Sequence, residues 1–177
     1  MRRRLVHTVE LDKKELDAAR AVIACVELES VRITRSRFVT SMHGFPTFPV
    51  ELATSSRTEE VTVEGSLCAV LDLVLRGYKD EDVLLEVSAR IEAAYTIPPS
   101  SSFTPYQLKC FAKANGMLNV WPYWRDFVQS SVQRAGLPAL ALPLFRVIHK
   151  RPVGSLDMGK QQLIPVKSGI PKPTKRQ

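Results

Sequence analysis

Two stretches of strict alternation restrict the fold of this chain more than any other feature. In Leu67 to Tyr78 the odd positions Leu67, Ala69, Leu71, Leu73 and Leu75 are apolar, while Asp72 and Arg76 occupy the even ones. After the polar connector Lys79-Asp80-Glu81-Asp82 the pattern resumes. Val83, Leu85, Val87, Ala89, Ile91, Ala93 and Tyr95 alternate with Glu86, Ser88, Arg90 and Glu92. A period of two puts successive side chains on opposite faces of a strand, so each stretch reads as a strand with one buried and one wet face. Strands of a parallel sheet are buried on both faces and lack such alternation, so the short connector joins an antiparallel hairpin.

Flanking segments supply the remaining elements. Val31 to Thr40 is β-branched and aromatic, with Val31 and Ile33 alternating against Arg32 and Thr34 until Arg35 and Arg37 break the phase. Charges of this kind mark an edge strand. Met42 to Pro49, with Gly44 and Pro46, reads as a loop, and another strand is expected from about Val50 to Thr54, extending toward Val63 before Gly65. Upstream, Asp12 and Glu15 form a capping box flanked by a Leu11/Leu16 staple, so a helix starts there with Leu16, Ala19, Ile23 and Val26 on one face. The run from Val22 to Val26 fits the following strand equally well.

After the linker Pro98 to Ser102, Thr104 and Gln107 make a second capping box with Pro105 at the first helical position and Phe103 placed to staple Leu108. That helix directs Leu108, Phe111 and Ala112 inward and is expected to end near Gly116. A longer helix is then expected with Asn119 as its cap and Pro122 in its first turn, where a missing N–H has no intrahelical partner to lose. Trp121, Trp124, Val128, Val132 and Ala135 fall on one stripe of it. Gly136 supplies the left-handed residue past its end, and Pro138 prevents resumption. The fold class is therefore α+β: a four-stranded antiparallel sheet with a short and a long C-terminal helix, plus an N-terminal helix.

A chain of 177 residues, 45% hydrophobic and 24% charged, suits one globular domain. We delimit a basic arm at 1–10, a domain at 11–150 and a basic, proline-containing tail at 151–177 that is expected to be disordered. The formal charge of +7 resides at the ends: Arg2, Arg3 and Arg4 at one, six basic residues against Asp157 at the other. Between residues 5 and 150, 16 basic and 17 acidic residues leave the body near neutral. This argues against a basic groove for nucleic acid on the domain, and leaves basic arms as the route to a nucleic-acid-binding adaptor, the alternative reading. There is no apolar run long enough to span a bilayer, and the arginines are not followed by the apolar stretch of a signal peptide. Cys25, Cys68 and Cys110 are widely spaced and match no metal pattern, so a reducing cytoplasm is the expected location. His7, His43 and His149 are scattered, no phosphate-binding glycine loop is present, and Ser130-Ser131 lies inside a helix. No catalytic residue, cofactor or metal site is expected.

Trp121-Pro122-Tyr123-Trp124-Arg125-Asp126, followed by Arg134-Ala135-Gly136-Leu137-Pro138-Ala139-Leu140, resembles the SecB family of protein-export chaperones. Similarity extends more loosely over Ser30 to Phe145 and includes Leu84-Leu85-Glu86-Val87. The resemblance implies sheets joined edge to edge in dimers, a tetramer that sandwiches long helices between two such sheets, and an ATP-independent holdase. Such a holdase wraps non-native polypeptides, keeps them competent for export and delivers them to the SecA motor. Glu86 matches an acidic, partner-facing position of the fourth strand, whereas Arg32, Arg35 and Arg37 stand on the first strand where the family is acidic. The N-terminal helix and basic tail are similar to divergent SecB-like chaperones, some of which protect the antitoxin of a toxin–antitoxin pair.

Candidate site residues follow. An apolar stripe on a helix is more often core or interface than a ligand groove, so Val120, Trp124, Phe127, Val128, Ser131 and Val132 are assigned to an oligomer interface. Client contact is assigned to Trp121, Tyr123 and Trp124 and to Leu137, Leu140, Leu142, Leu144 and Phe145, a segment kept extended by Pro138 and Pro143.

Overall fold

The computed structural model describes residues 8–42, 51–63 and 65–150. A short strand β1 (Thr8–Leu11) leads into helix α1 (Lys13–Ile23), whose N-terminus carries the capping box read from the sequence. Asp12 Oδ1 accepts from the Glu15 N–H at 2.8 Å, and Glu15 Oε2 accepts from the Asp12 N–H at 2.9 Å. Four long strands follow: β2 (Glu27–Thr40), β3 (Glu51–Val63), β4 (Ser66–Lys79) and β5 (Asp82–Thr96). They form one antiparallel sheet in the order β2-β5-β4-β3. The two alternating stretches thus become the central strands, where an apolar face is best protected. Their odd positions from Leu67 to Leu75 and from Leu85 to Tyr95 are buried, while the even positions are mostly half-exposed on the other face. Val83 lies beyond the covered part of the sheet and stays exposed. At the hairpin tip Asp80 adopts φ 53°, a left-handed conformation that aspartate tolerates better than most residues.

β2 is an edge strand, as its charges suggest, and its broken phase has a structural cause. The register with β5 slips between Leu28 and Ser30 and again between Ile33 and Arg35. Each bulge adds a residue and exchanges the two faces. Val31 and Ile33 therefore oppose buried Ala93 and Ile91, whereas beyond the second bulge it is Ser36 and Phe38 that oppose buried Ala89 and Val87. Arg35 and Arg37 are turned to the outer face.

Helix α2 (Pro105–Phe111) starts on the Thr104/Gln107 capping box with Pro105 at its first position. It does not end at Gly116. A π-helical turn, Ala112–Gly116, carries the backbone directly into α3 (Met117–Arg134). Asn119 is accordingly not a cap, and Pro122 lies inside α3 rather than in a first turn. The expectation failed because Asn119 has a tertiary use: its Nδ2 donates to Tyr95 Oη at 3.0 Å. Pro122 withdraws the donor that Leu118 C=O would use, and Leu118 is exposed, so water can serve that carbonyl. The π turn is built of small residues, with Ala112, Ala114 and Gly116 buried against the sheet. The core joins β4 and β5 to Leu108, Phe111, Met117, Val120, Trp121, Trp124, Val128 and Val132 of the helices. The Tyr95 and Phe111 rings meet edge-on at 4.9 Å between centroids. On α1, Ala19 and Val22 are buried, and Glu15 meets Lys113 of the π turn at 2.8 Å. Finally β6 (Arg146–His149) pairs in parallel with β1, forming a two-stranded ribbon that was not foreseen. The expected loop at 43–49 and the tail from 151 lie outside the described residues.

Candidate functional site

The end of α3 determines where the following apolar segment goes. Gly136 adopts φ +69°, and two hydrogen bonds close a Schellman motif: Leu137 N–H to Val132 C=O at 3.2 Å and Gly136 N–H to Gln133 C=O at 3.0 Å. The chain then returns along α3. Trp121 Nε1 donates to Pro143 C=O and Arg125 Nε to Leu142 C=O, both at 2.8 Å, and the Trp121 and Phe145 rings lie 5.4 Å apart. Prolines at 138 and 143 keep the segment extended and offer no N–H, so its carbonyls are what the helix side chains can hold.

Held in this way, the segment divides its side chains. Leu137 and Leu142 are buried, Leu140 and Phe145 are half-buried, and Leu144 remains 65% exposed. Phe145 reaches the edge of a cavity of about 330 Å³ between the β1–β6 ribbon, β3 and the helices. Val9 and Met117 add apolar wall, and Thr58 and Glu60 of β3 face it from the sheet. Their partners in the ladder, Leu71 and Ala69, are buried, so Thr58 and Glu60 stand on the helix-facing side of the sheet. Lys109 and Lys113 complete the rim with Thr8. Lys113 is neutralised by Glu15, whose carboxyl it holds below the usual glutamate range by hydrogen bonding, assisted by the Asp12 N–H. The site combines apolar walls with a few polar groups, which suits an apolar side chain carried on a polar backbone.

The residues singled out from sequence fall into two groups. Trp121, Trp124, Val120, Val128 and Val132 lie in the chain's own core together with Leu137 and Leu142. Leu144, Tyr123 (49% exposed), Leu140, Phe127, Ser131 and Phe145 remain wholly or partly accessible. Phe145 borders the cavity and Leu144 precedes it in the chain, whereas Tyr123, Phe127 and Ser131 lie on a flank of α3 away from the return segment. The outermost strand is only partly covered: Leu28 and Ile33 are on the helix-facing side of β2 yet 47% and 41% exposed. Glu86 is on the opposite face of the sheet, bridged by Arg76 at 2.8 Å and Arg37 at 3.5 Å. Thr58, Glu60, Lys109, Val9 and Met117 were not identified from sequence. β3 is the strand with the weakest alternation, and no local signal announces that β1 and β6 meet.

Among the described residues no group of three or more His, Cys, Asp or Glu side chains converges on a point. The three cysteines are free, and burial pushes the Cys68 and Cys110 thiols up, toward the protonated, unreactive form. Burial likewise raises the Tyr95 phenol, against the hydrogen bond from Asn119. No described helix is long and apolar enough to cross a membrane.

No family model matches the sequence, and no curated protein matches it. Among solved structures, the fold is similar to that of the SecB-like chaperone Rv1957 of Mycobacterium tuberculosis, determined in complex with a ChAD peptide from the Rv1956 HigA1 antitoxin. The TM-score is 0.68 at 15% identity, covering 75% of this chain and 99% of the other. A protein of unknown function from Streptococcus agalactiae matches with a TM-score of 0.43 at 12% identity, covering 67% of this chain and 97% of that one. The chain has a SecB-like α+β fold.

Proposed function

We propose that this protein is an ATP-independent, SecB-like chaperone, without catalytic residues, that holds non-native polypeptides in extended form. The observation that carries this reading is the apolar surface left open on the return segment: Leu144 at 65% exposure, followed in the chain by Phe145, which borders the 330 Å³ cavity. Burying a leucine fully contributes roughly 1.5–3 kcal/mol. With about two thirds of Leu144 still accessible, a client segment laid over it gains about 1–2 kcal/mol. Several such contacts along an extended chain supply useful affinity without a defined client sequence. Leu140, Leu144, Phe145 and Tyr123 are the client-contacting residues in this reading. Trp121, Trp124, Leu137 and Leu142 act by holding them in place.

A homo-oligomer belongs to the same proposal. In this reading a sister subunit would cover Leu28 and Ile33 on β2 and Phe127 and Ser131 on α3, with Val120, Trp124, Val128 and Val132 buried in the core behind that helix. Export through SecA, with Glu86 as a contact, is the less supported branch, because two arginines already engage that carboxylate. The antitoxin-dedicated branch is favoured by one observation, that the similar Mycobacterium tuberculosis chaperone binds an antitoxin peptide.

The test is suppression of aggregation of an unfolded model protein, with the mass of the assembly measured in solution. Wild type is expected to suppress at near-stoichiometric ratios and with little salt dependence. Leu144→Ser is expected to weaken client binding about 5- to 30-fold, the equivalent of the area above, and to leave thermal stability almost unchanged. Full suppression by the Leu144→Ser, Phe145→Ser double variant would remove this site from the proposal.

A further inference from the structure

No described helix covers the second face of the sheet. Across its middle stand four carboxylates, and each is engaged: Glu92 by Arg32 at 3.2 Å, Glu86 by Arg76 and Arg37, Asp72 by Arg90 at 3.9 Å, and Glu59 by Arg57 and by Arg90 at 3.6 Å. Glu27 lies toward one end of the same face, opposite Thr96. Arg35 has no ion pair among the described residues. The ladder sets it directly opposite Arg90, in a row that reads Arg57, Asp72, Arg90, Arg35 across the four strands. Like charges opposite each other disfavour pairing, so the fold gains nothing from this placement. Between them lies a shallow groove of about 230 Å³, bordered by Arg35, Arg37 and Arg90 with Asp72, Val74 and Ser88.

We infer that this groove is a docking site for an acidic segment of a different polypeptide, on the side of the sheet away from the proposed client site. The chain's own undescribed residues hold two acids, Glu64 and Asp157, and no acidic run to match it. Arg35 and Arg37 are two residues apart on one face of β2, and Arg37 meets Glu86 through one nitrogen at 3.5 Å, which leaves it other donors, so an extended partner with Asp or Glu at alternate positions matches their spacing. Planar guanidinium groups also suit carboxylates in geometry. A nucleic acid fits less well, because Glu59, Asp72, Glu86 and Glu92 interrupt the arginines and repel a continuous phosphate backbone.

The experiment measures fluorescence anisotropy of labelled peptides with the full chain at low salt. A peptide of alternating Glu and Ser is compared with its Gln counterpart and with a single-stranded oligonucleotide of equal charge. The acidic peptide is expected to bind and the Gln peptide not to. Arg35→Glu is expected to weaken binding about tenfold, with Arg35→Lys retaining most of it and Arg176→Glu, a charge-matched change in the tail, altering it less than about twofold. Arg35→Glu places a carboxylate opposite Arg90, so its melting temperature is expected to be equal to or above wild type, which separates lost docking from lost folding. Equal loss in Arg35→Glu and Arg176→Glu would overturn the site in favour of net charge. Tighter binding of the oligonucleotide through Arg35 would overturn the partner class, and a fall in assembly mass on Arg35→Glu would assign the groove to a second copy, through its Glu27 and Glu29.

Discussion

Replacing Gly116 with alanine tests how closely the helical layer approaches the sheet. Gly116 has ordinary helical dihedrals, φ −55° and ψ −50°, so alanine is conformationally permitted there. In an exposed helix the change would stabilise by up to about 1 kcal/mol. Here the added Cβ would lie 2.7 Å from the Cβ of Ala69 on β4, with Leu71 Cδ1 at 3.9 Å. Carbon atoms in good contact sit at about 3.5–4.0 Å. Relief therefore requires the π turn and the strand to separate by about 1 Å, because Ala69 has no flexible end to swing aside. Overpacking of this kind costs about 1–3 kcal/mol. Setting that against the helical gain leaves Gly116→Ala less stable by up to about 2 kcal/mol. Ala69→Gly alone is expected to cost about 1 kcal/mol through strand entropy and a lost methyl. The double variant exchanges the two methyl positions, so its loss should fall short of the sum by about 1 kcal/mol or more. Urea unfolding of all four proteins reads this directly, since midpoints move by about 0.5–1 M for such changes. A raised midpoint for Gly116→Ala, or strict additivity in the cycle, would refute the close approach.

Trp121→Phe keeps an aromatic, if smaller, ring but leaves Pro143 C=O without its donor, and the lost hydrogen bond is expected to cost about 1–2 kcal/mol in a urea melt. It should also accelerate amide exchange at residues 139–142, which distinguishes a loosened return segment from a damaged core. The Glu15 carboxyl titrates below its ordinary range when folded, so its contribution is complete above the unfolded glutamate pKa of about 4.3 and disappears as pH falls through the lower folded value. Its side chain is partly exposed, so the effect is small. Lys113→Met is expected to flatten that part of the stability–pH curve, and an unchanged acid limb would remove the pair from the account.

The elements most legible in the sequence were those fixed by local physics. The alternation of β4 and β5, both capping boxes, Pro105 and the Gly136 stop signal depend on residues within a few positions of one another. What was not legible depends on distant partners. Asn119 looks like a cap because Asn often is one, and only the position of Tyr95 shows it to be a tertiary donor. The β1–β6 ribbon joins residues about 140 apart in two four-residue strands, too short to show a period. For the candidate site, Leu144 and Phe145 were accessible to sequence reasoning because prolines and apolar residues mark the return segment. Thr58, Glu60 and Lys109 come to the same cavity from strand and helix positions that look like ordinary solvated surface.

The two register slips in β2 give that strand an uncommon relation to its length. Deleting Thr34 would remove the second bulge and let Arg35 follow Ile33 directly, so Arg35 and Arg37 would stay on the outer face and Phe38 would stay opposite Val87. The margin of this sheet thus owes its polarity to a surplus residue as much as to chemistry, and a codon lost at that position would straighten the strand without inverting it.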